Sequence, residues 1–331
     1  MGMRLLFLLF VLVMSEAAAQ IHYPKFDVAG HRGCRGLRPE NSIPAFLLAL
    51  DSGVTTLEMD VVVTKDGQIV LSHEPWMSPE ICLDPAGQSL TKKDEKKYNI
   101  YGMTYDEVKS WDCGSKGLER FPQQVKMKVS KPLLRDVVMA VEDHIKNKSR
   151  YEVDYSIEIK SSPEGDGKFH PKPEEYSDLV YQLLNDYLPW ERVVIQSFDF
   201  RVLRYWHEKY PDVRLSALVE NFRTVDQNLQ DLGFTPSIYS PMYKLITRDD
   251  VRHIHEITVP LSPAQKKAKN GNGNGKSKKQ TNNRLRVIPW TVNDEKEMVA
   301  LKGMGVDGFI TDYPDRARKY KMTLMIVPAQ K

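Results

Sequence analysis

The sequence predicts an α/β chain folded as a TIM-type (β/α)8 barrel with a small insertion after the second strand. Two observations carry this. Eight short runs of β-branched and apolar residues alternate with longer segments of helical period, the pattern of repeated β/α units. The acidic, basic and imidazole side chains then fall where the early runs end, which is where such a barrel carries its chemistry. A doubly wound sheet shares the alternation. It usually opens with a glycine-rich phosphate loop, however, and no G-x-G-x-x-G follows the first run here.

The elements follow in order. A strand over 26–29 turns through His31-Arg32-Gly33 into a helix over 41–52. A second strand over 55–63 is folded back by Lys65-Asp66-Gly67 into 69–72, because Asp-Gly between two apolar runs is a strong hairpin signal. Further strands are expected over 153–159, 192–196, 214–218, 237–239, 286–289 and 308–311. Helical patterns between them include 174–186, 200–208, 249–256 and 294–304.

Two stretches exceed a plain barrel. Residues 74–130 carry Cys, Trp, Pro and many charges without a barrel strand, and read as an inserted subdomain on the second βα loop. Residues 262–284 form a Lys/Asn/Gly tract that reads as a disordered loop.

The N-terminus reads as a signal peptide over 1–19. Arg4 precedes an apolar run over 5–14, too short to span a bilayer, and Ala17-Ala18-Ala19 offers a cleavage site near Ala19. The barrel domain, 20–331, is then exported, either periplasmic or secreted. Export permits disulfides. Three cysteines are too few for a disulfide scaffold, and whether Cys82 pairs with Cys113 is left open by the sequence. Asn147-Lys148-Ser149 is a glycosylation sequon in a eukaryotic source.

Composition narrows the function. Apolar residues at 41% and charged residues at 27% exclude a disordered chain. A net charge of +3 argues against a nucleic-acid partner. The 262–284 tract alone carries seven positive charges and no acid, which leaves the rest of the chain at −4. Its two readings are a solvated loop and weak attraction to an anionic membrane surface.

The strand ends carry the candidate site. Glu58 and Asp60 alternate with Leu57 and Met59, so both carboxylates share the face opposite the apolar one. Glu158 and Lys160 repeat this on the next barrel strand. Three inward carboxylates repel one another unless a cation sits among them, and all-oxygen ligands suit one divalent ion, Mg2+ or Ca2+. His31 and His73 close the first strand and the hairpin, and suit general acid and base work. Arg32 and Lys160 offer positive charge to phosphate oxygens. Each feature alone has a plainer reading: an exposed Glu-x-Asp face, a structural histidine, a same-face Glu158–Lys160 ion pair. Their coincidence at neighbouring strand ends points to metal-assisted phosphoryl transfer.

At these residues the chain resembles the glycerophosphodiester phosphodiesterase family. The resemblance runs through His31-Arg32-Gly33, Pro39-Glu40-Asn41-Ser42, Leu57-Glu58-Met59-Asp60-Val61, Thr64-Lys65-Asp66-Gly67 and His73. It continues in Ile157-Glu158-Ile159-Lys160, Gln196-Ser197-Phe198, Trp290-Thr291-Val292-Asn293 and Thr311-Asp312-Tyr313-Pro314. It implies that His31 and His73 are the acid–base pair, that Glu58, Asp60 and Glu158 hold the cation, and that Arg32 and Lys160 bind phosphate. It also implies that Trp290 lines the site and that a small glycerophosphodiester is the substrate.

Two positions and one tract depart from the family pattern, the tract being 262–284, which interrupts the usually short approach to the strand before Trp290. Glu74 stands where the family has Asp after the second histidine, so the imidazole needs a longer arm to orient it. Arg135 stands where the family has Glu, which alters charge if that residue reaches the site. The competing functions are a phospholipase C- or D-like enzyme acting on intact or lyso-phospholipid, and a non-catalytic ligand-binding barrel. The first requires the 74–130 insert to turn Trp76, Met77, Ile81, Tyr98, Tyr101 and Trp111 outward near the mouth. Packed together, they would instead form the insert's own core.

Overall fold

The computed structural model describes residues 25–149, 151–271 and 283–324. The expected signal segment lies outside these, as do residues 272–282 of the basic tract. In chain order the elements are β1 (Asp27–Gly30), α1 (Ile43–Asp51), β2 (Thr56–Val63), β3 (Ile69–Leu71), α2 (Tyr105–Lys109), α3 (Leu134–His144) and β4 (Asp154–Ile159). Then come α4 (Pro173–Tyr187), β5 (Val193–Ser197), α5 (Phe200–Lys209), β6 (Arg214–Val219), α6 (Val225–Leu232), β7 (Ile238–Pro241) and α7 (Arg248–Glu256). The chain continues through α8 (Pro263–Gly271), β8 (Arg286–Val287), α9 (Glu295–Met304), β9 (Gly308–Thr311) and α10 (Pro314–Lys319).

Eight of the strands run parallel in the order β8-β7-β6-β5-β4-β2-β1-β9, and β3 pairs antiparallel with β2 as a hairpin. The ring closes between β8 and β9 through Asp307 N–H donating to Val287 O at 2.9 Å and Ile310 N–H to Pro289 O at 2.9 Å. This is the expected (β/α)8 barrel.

Alternation along the strands divides the side chains. Leu57, Met59, Ile157 and Ile159 face outward into the main apolar layer with Phe46, Leu50, Val137 and Val180 from the surrounding helices. The inner face carries a smaller apolar plug of Ala29, Val194, Ile238, Ile288 and Ile310. Register sets Ala29 beside Thr56 and Asp60 beside Glu158, so the acids of β2 and β4 share that inner face.

Some boundaries move for local reasons. The first helix starts at Ile43 because the Ser42 hydroxyl accepts from Ala45 N–H and caps it, with Pro44 in the first turn. Asn41 is thereby left in a left-handed turn. The expected strand over 286–289 shortens to Arg286–Val287. Ile288 and Trp290 still donate to Tyr239 O and Pro241 O, but Pro289 has no N–H to give.

The 262–284 tract is corrected in its first part, where a disordered loop was expected and α8 forms. Ser262 and Gln265 cap each other reciprocally, at 3.0 and 3.3 Å, and Ala264 N–H donates to Asp212. Capping and the helix propensity of Ala, Gln and Lys suffice without an apolar face.

The insert packs a core of its own. Met77, Ile81, Cys82, Ile100, Val108, Trp111 and Cys113 close over Val62, Val70 and Leu133 of the hairpin region. Cys82 and Cys113 form a disulfide within it, and Cys34 is free and buried under the barrel's helical layer.

The turn after β1 depends on Gly33. Its φ is +83°, and a Cβ there would lie 2.7 Å from the Ala45 carbonyl carbon and 2.8 Å from Phe46 N. Gly33→Ala is expected to destabilise the fold by about 1–3 kcal/mol, read as a lower urea midpoint at unchanged slope. An unchanged midpoint would show that the turn is not so constrained.

Candidate active site

Glu58, Asp60 and Glu158 are buried, and one oxygen from each lies within 4.8 Å of the others. Each is held by a different neighbour. Glu58 Oε2 accepts from the backbone N–H of Arg32 at 2.8 Å, and its Oε1 accepts from Gln196 Nε2 at 2.9 Å. Asp60 Oδ2 accepts from Asn41 Nδ2 at 2.9 Å, with Arg32 Nε 3.2 Å away. Glu158 Oε1 accepts from Lys160 Nζ at 2.7 Å. Asp60 Oδ1 is buried with no hydrogen-bond donor among the described residues, and Lys160 Nζ stands 3.8 Å off.

The electrostatics are those of an overfilled acidic site. Burial, and then repulsion from Asp60 and Glu158, pushes Glu58 well above the usual carboxylate range. Burial also raises Glu158 despite Lys160. Burial opposes ionisation of Asp60 too, yet Arg32, His73 and Lys160 hold it well below that range. Three crowded carboxylates with one buried oxygen left without a donor fit a divalent cation. Their oxygen-only chemistry suits a hard ion such as Mg2+ or Ca2+.

Each of the two histidines is aimed by a carboxylate. His31 Nδ1 donates to Asp312 Oδ1 at 2.6 Å, and Asp312 is itself held by Arg35 Nε and Asn293 Nδ2, both at 2.6 Å. A carboxylate only accepts, so Nδ1 carries the proton and Nε2, 3.9 Å from Glu58 Oε2, has the lone pair. Burial, and then Arg35, lowers the His31 pKa to about 4 against the pull of Asp312, so the ring is neutral near pH 7. His73 Nδ1 pairs with Glu74 Oε1 at 2.8 Å, and that hydrogen bond lowers the Glu74 pKa. The longer arm of Glu74 therefore reaches.

Arg32, with φ +50°, is buried between Glu40, 2.9 Å from its Nη1, and the acidic cluster. Burial opposes its charge, but Glu40, Asp60 and Glu58 outweigh that and keep it a cation. Two adjoining cavities share His73 and Glu74. One of about 240 Å³ reaches Arg32, Arg35, Glu40 and Lys131, and the other, of about 350 Å³, reaches Lys160, Ser161, Trp76 and Phe169. Trp290 borders neither. Its Nε1 donates to Ser240 O at 2.9 Å, and its ring meets Phe198 edge-on at 5.3 Å, with Lys160 Nζ 5.9 Å from the Phe198 ring. Arg135 is half exposed, pairs with Asp136 and also borders neither cavity, so it does not change the charge there.

The structure thus gathers His31, Arg32, Glu58, Asp60, His73, Glu158 and Lys160 in one mouth, with Trp290 packed edge-on against Phe198 beside Lys160. Asp312, Arg35, Glu40, Asn41, Gln196 and Asn293 hold those groups in place without having been assigned roles. Several stand inside the motif blocks, which was the available signal. Lys131 had none.

Fold and site together suit phosphoester chemistry: buried acids that fit a cation, two imidazoles held by carboxylates, and two basic side chains beside them. The model of the Glycerophosphoryl diester phosphodiesterase family matches residues 31–316. A glycerophosphodiester phosphodiesterase of Bacillus altitudinis is 26% identical over 89% of this chain and 97% of its own. One from Caldanaerobacter subterraneus is 25% identical over 87% and 94%.

Among solved structures, a Silicibacter pomeroyi protein provisionally assigned to the glycerophosphoryl diester phosphodiesterases superposes with TM-score 0.73 at 26% identity, covering 92% of this chain and 97% of that one. An Oleispira antarctica phosphodiesterase in complex with the product sn-glycerol-3-phosphate gives TM-score 0.63 at 19% identity, covering 88% and 95%. The chain belongs to the glycerophosphoryl diester phosphodiesterase family.

Asp60→Asn keeps the shape of the site and removes its best-ionised carboxylate. The parent is expected to unfold at a higher temperature when saturated with Mg2+ or Ca2+, by the stability of about 2.7 kcal/mol that a ligand at 100 times its Kd confers. Asp60→Asn should lose that increment. An equal increment in both proteins would place the cation elsewhere.

Proposed function

We propose that this enzyme hydrolyses small glycerophosphodiesters to glycerol 3-phosphate and an alcohol, with Glu58, Asp60 and Glu158 holding a divalent cation and His31 and His73 moving the protons. The observation that carries this is the pair of imidazoles, each aimed through Nδ1 by a carboxylate, beside one buried triad of acids. The product named for the Oleispira antarctica relative supports glycerol 3-phosphate as the phosphorylated product. When bound, the cation would draw charge from phosphate oxygens and help to orient the diester.

The chain's own groups do the rest. Neutral His31 accepts the proton of the attacking oxygen at Nε2. His73, held by Glu74, acts as the acid and gives a proton to the departing alkoxide as the phosphorus–oxygen bond breaks. Such an alkoxide is a poor leaving group, so the acid matters. Arg32 and Lys160 offset negative charge as it builds at phosphorus. Exchange with solvent restores both rings.

A lipid phosphodiesterase acting on intact phospholipid gains little support. Met77 and Trp111 are buried in the insert's core, and of the six side chains that this reading needs Trp76 and Ile81 alone border the two cavities. A non-catalytic barrel would need no pair of oriented imidazoles. We place the enzyme outside the cytoplasm, periplasmic or secreted, on the leader-like N-terminal sequence together with the Cys82–Cys113 disulfide.

His31→Ala and His73→Ala are each expected to lower kcat by about 10²- to 10⁴-fold on a panel of choline, ethanolamine and glycerol diesters, read as glycerol 3-phosphate released. Chelation should stop turnover, and added Mg2+ or Ca2+ should restore it. Near-parental kcat in either variant, or full activity in chelator, would overturn the mechanism.

A further inference from the structure

Lys131 is a buried cation that the proposed chemistry leaves unused. It is 6% exposed and borders the cavity shared with Arg32, Glu40 and His73. The chain returns from the insert along the hairpin at this point. Leu71 N–H donates to Pro132 O at 2.9 Å, and Val70 bridges Leu133. That brings the Lys131 ammonium to the end of β3, where Nζ lies 2.8 Å from the hydroxyl of fully buried Ser72.

The polarity of this contact is fixed. The Ser72 hydroxyl gives its one proton to the backbone carbonyl of Glu74. It must then accept from Lys131, and an ammonium can only donate. The result is a one-way chain from Lys131 through Ser72 to the Glu74 main chain, with a charge at its head to strengthen it. Ser72 N–H also donates to Asp60 O at 3.1 Å, which ties the same residue to β2.

Above this chain the His73–Glu74 side-chain pair is open, at 31% and 36% exposure. An exposed ion pair gives weak positional restraint. The buried part of the restraint on residues 72–74 therefore lies underneath, in Ser72 and Lys131. Burying an ammonium is unfavourable, and Glu40 and Glu74 nearby offset part of that.

We propose that Lys131 is a positioning residue for His73, fixing through Ser72 the backbone that aims the imidazole. The inference rests on the acid–base role of His73 given above. Lys131→Met keeps the stem and removes the donor. It is expected to lower kcat by about 10- to 100-fold with KM within about threefold of parent, the effect of a small misplacement of a reacting group. Ser72→Ala cuts the same chain while leaving the charge, and should lower kcat in the same way; it also covers the case in which Lys131→Met does not fold.

The discriminating measurement repeats both substitutions in a His73→Ala background, at enzyme concentrations that resolve its residual turnover. A residue acting through His73 loses its effect there, so each further loss should shrink to within about twofold. A full-strength loss in that background, or parental kcat for Lys131→Met and Ser72→Ala in the unaltered enzyme, overturns the positioning role alone. Near-parental activity of His73→Ala itself overturns the reading of His73, and the inference with it.

Discussion

Three carboxylates crowded into one buried corner of the barrel mouth are the constraint around which the site is built. Burial and repulsion from neighbouring acids push Glu58 and Glu158 above the usual carboxylate range. The surrounding groups read as a response. Arg32 gives its backbone N–H to Glu58 and sets its guanidinium against Asp60, Asn41 donates to Asp60, Gln196 to Glu58 and Lys160 to Glu158. Arg32 and Asn41 both adopt positive φ, which non-glycine residues seldom do, and both meet this cluster. The strained turns are where the backbone bends to bring donors to the acids.

Register brings distant residues to the same place. Gly30 pairs with Thr311, so the next residue of each strand, His31 and Asp312, emerge side by side although 281 positions separate them. Asp60 pairs with Glu158, and Glu158 with Gln196. The hairpin does the same for the second histidine. Val61 pairs with Leu71, so β3 returns the chain to the mouth and delivers His73 just beyond Asp60. A parallel barrel with one antiparallel excursion thus places two imidazoles around one acidic cluster, and brings the carboxylate that holds one of them from the far end of the sequence.

This explains what could be read from the sequence and what could not. Period-two alternation in Leu57-Glu58-Met59-Asp60 and Ile157-Glu158-Ile159-Lys160 is local, so the inward acids were legible, as was the hairpin from Asp66-Gly67. The partner that aims His31 was not, because Asp312 acquires its role only through the β1–β9 register. Lys131 was hidden for a different reason. A lysine before Pro132 looks like a surface residue, and only the return path of the insert buries it. Helix α8 was obscured by composition: the lysine-rich tract lacks an apolar stripe, while the reciprocal Ser262–Gln265 cap that starts the helix is a two-residue signal. Arg135 erred in the other direction, since a departure from family pattern mattered less once the side chain lay outside both cavities.

The insert lines part of both cavities at the mouth. Most of its buried apolar residues pack in its own core over the β2–β3 hairpin, with the Cys82–Cys113 bridge inside it. Most of what it turns toward the cavities is polar or charged: Ser78, Glu80, Glu95 and Arg120 on one side and Lys96 on the other, beside Ile81, Pro75 and the large ring of Trp76. Even that ring has a lysine ammonium, Lys96, 5.2 Å from its centre. An acyl chain would meet these charges and strip their water without return. A short hydrated alcohol on a phosphodiester can exchange hydrogen bonds with them. A hydrated, polar substituent suits such a lining by the same rule that shaped the acidic cluster: a buried or half-buried charge must find a partner.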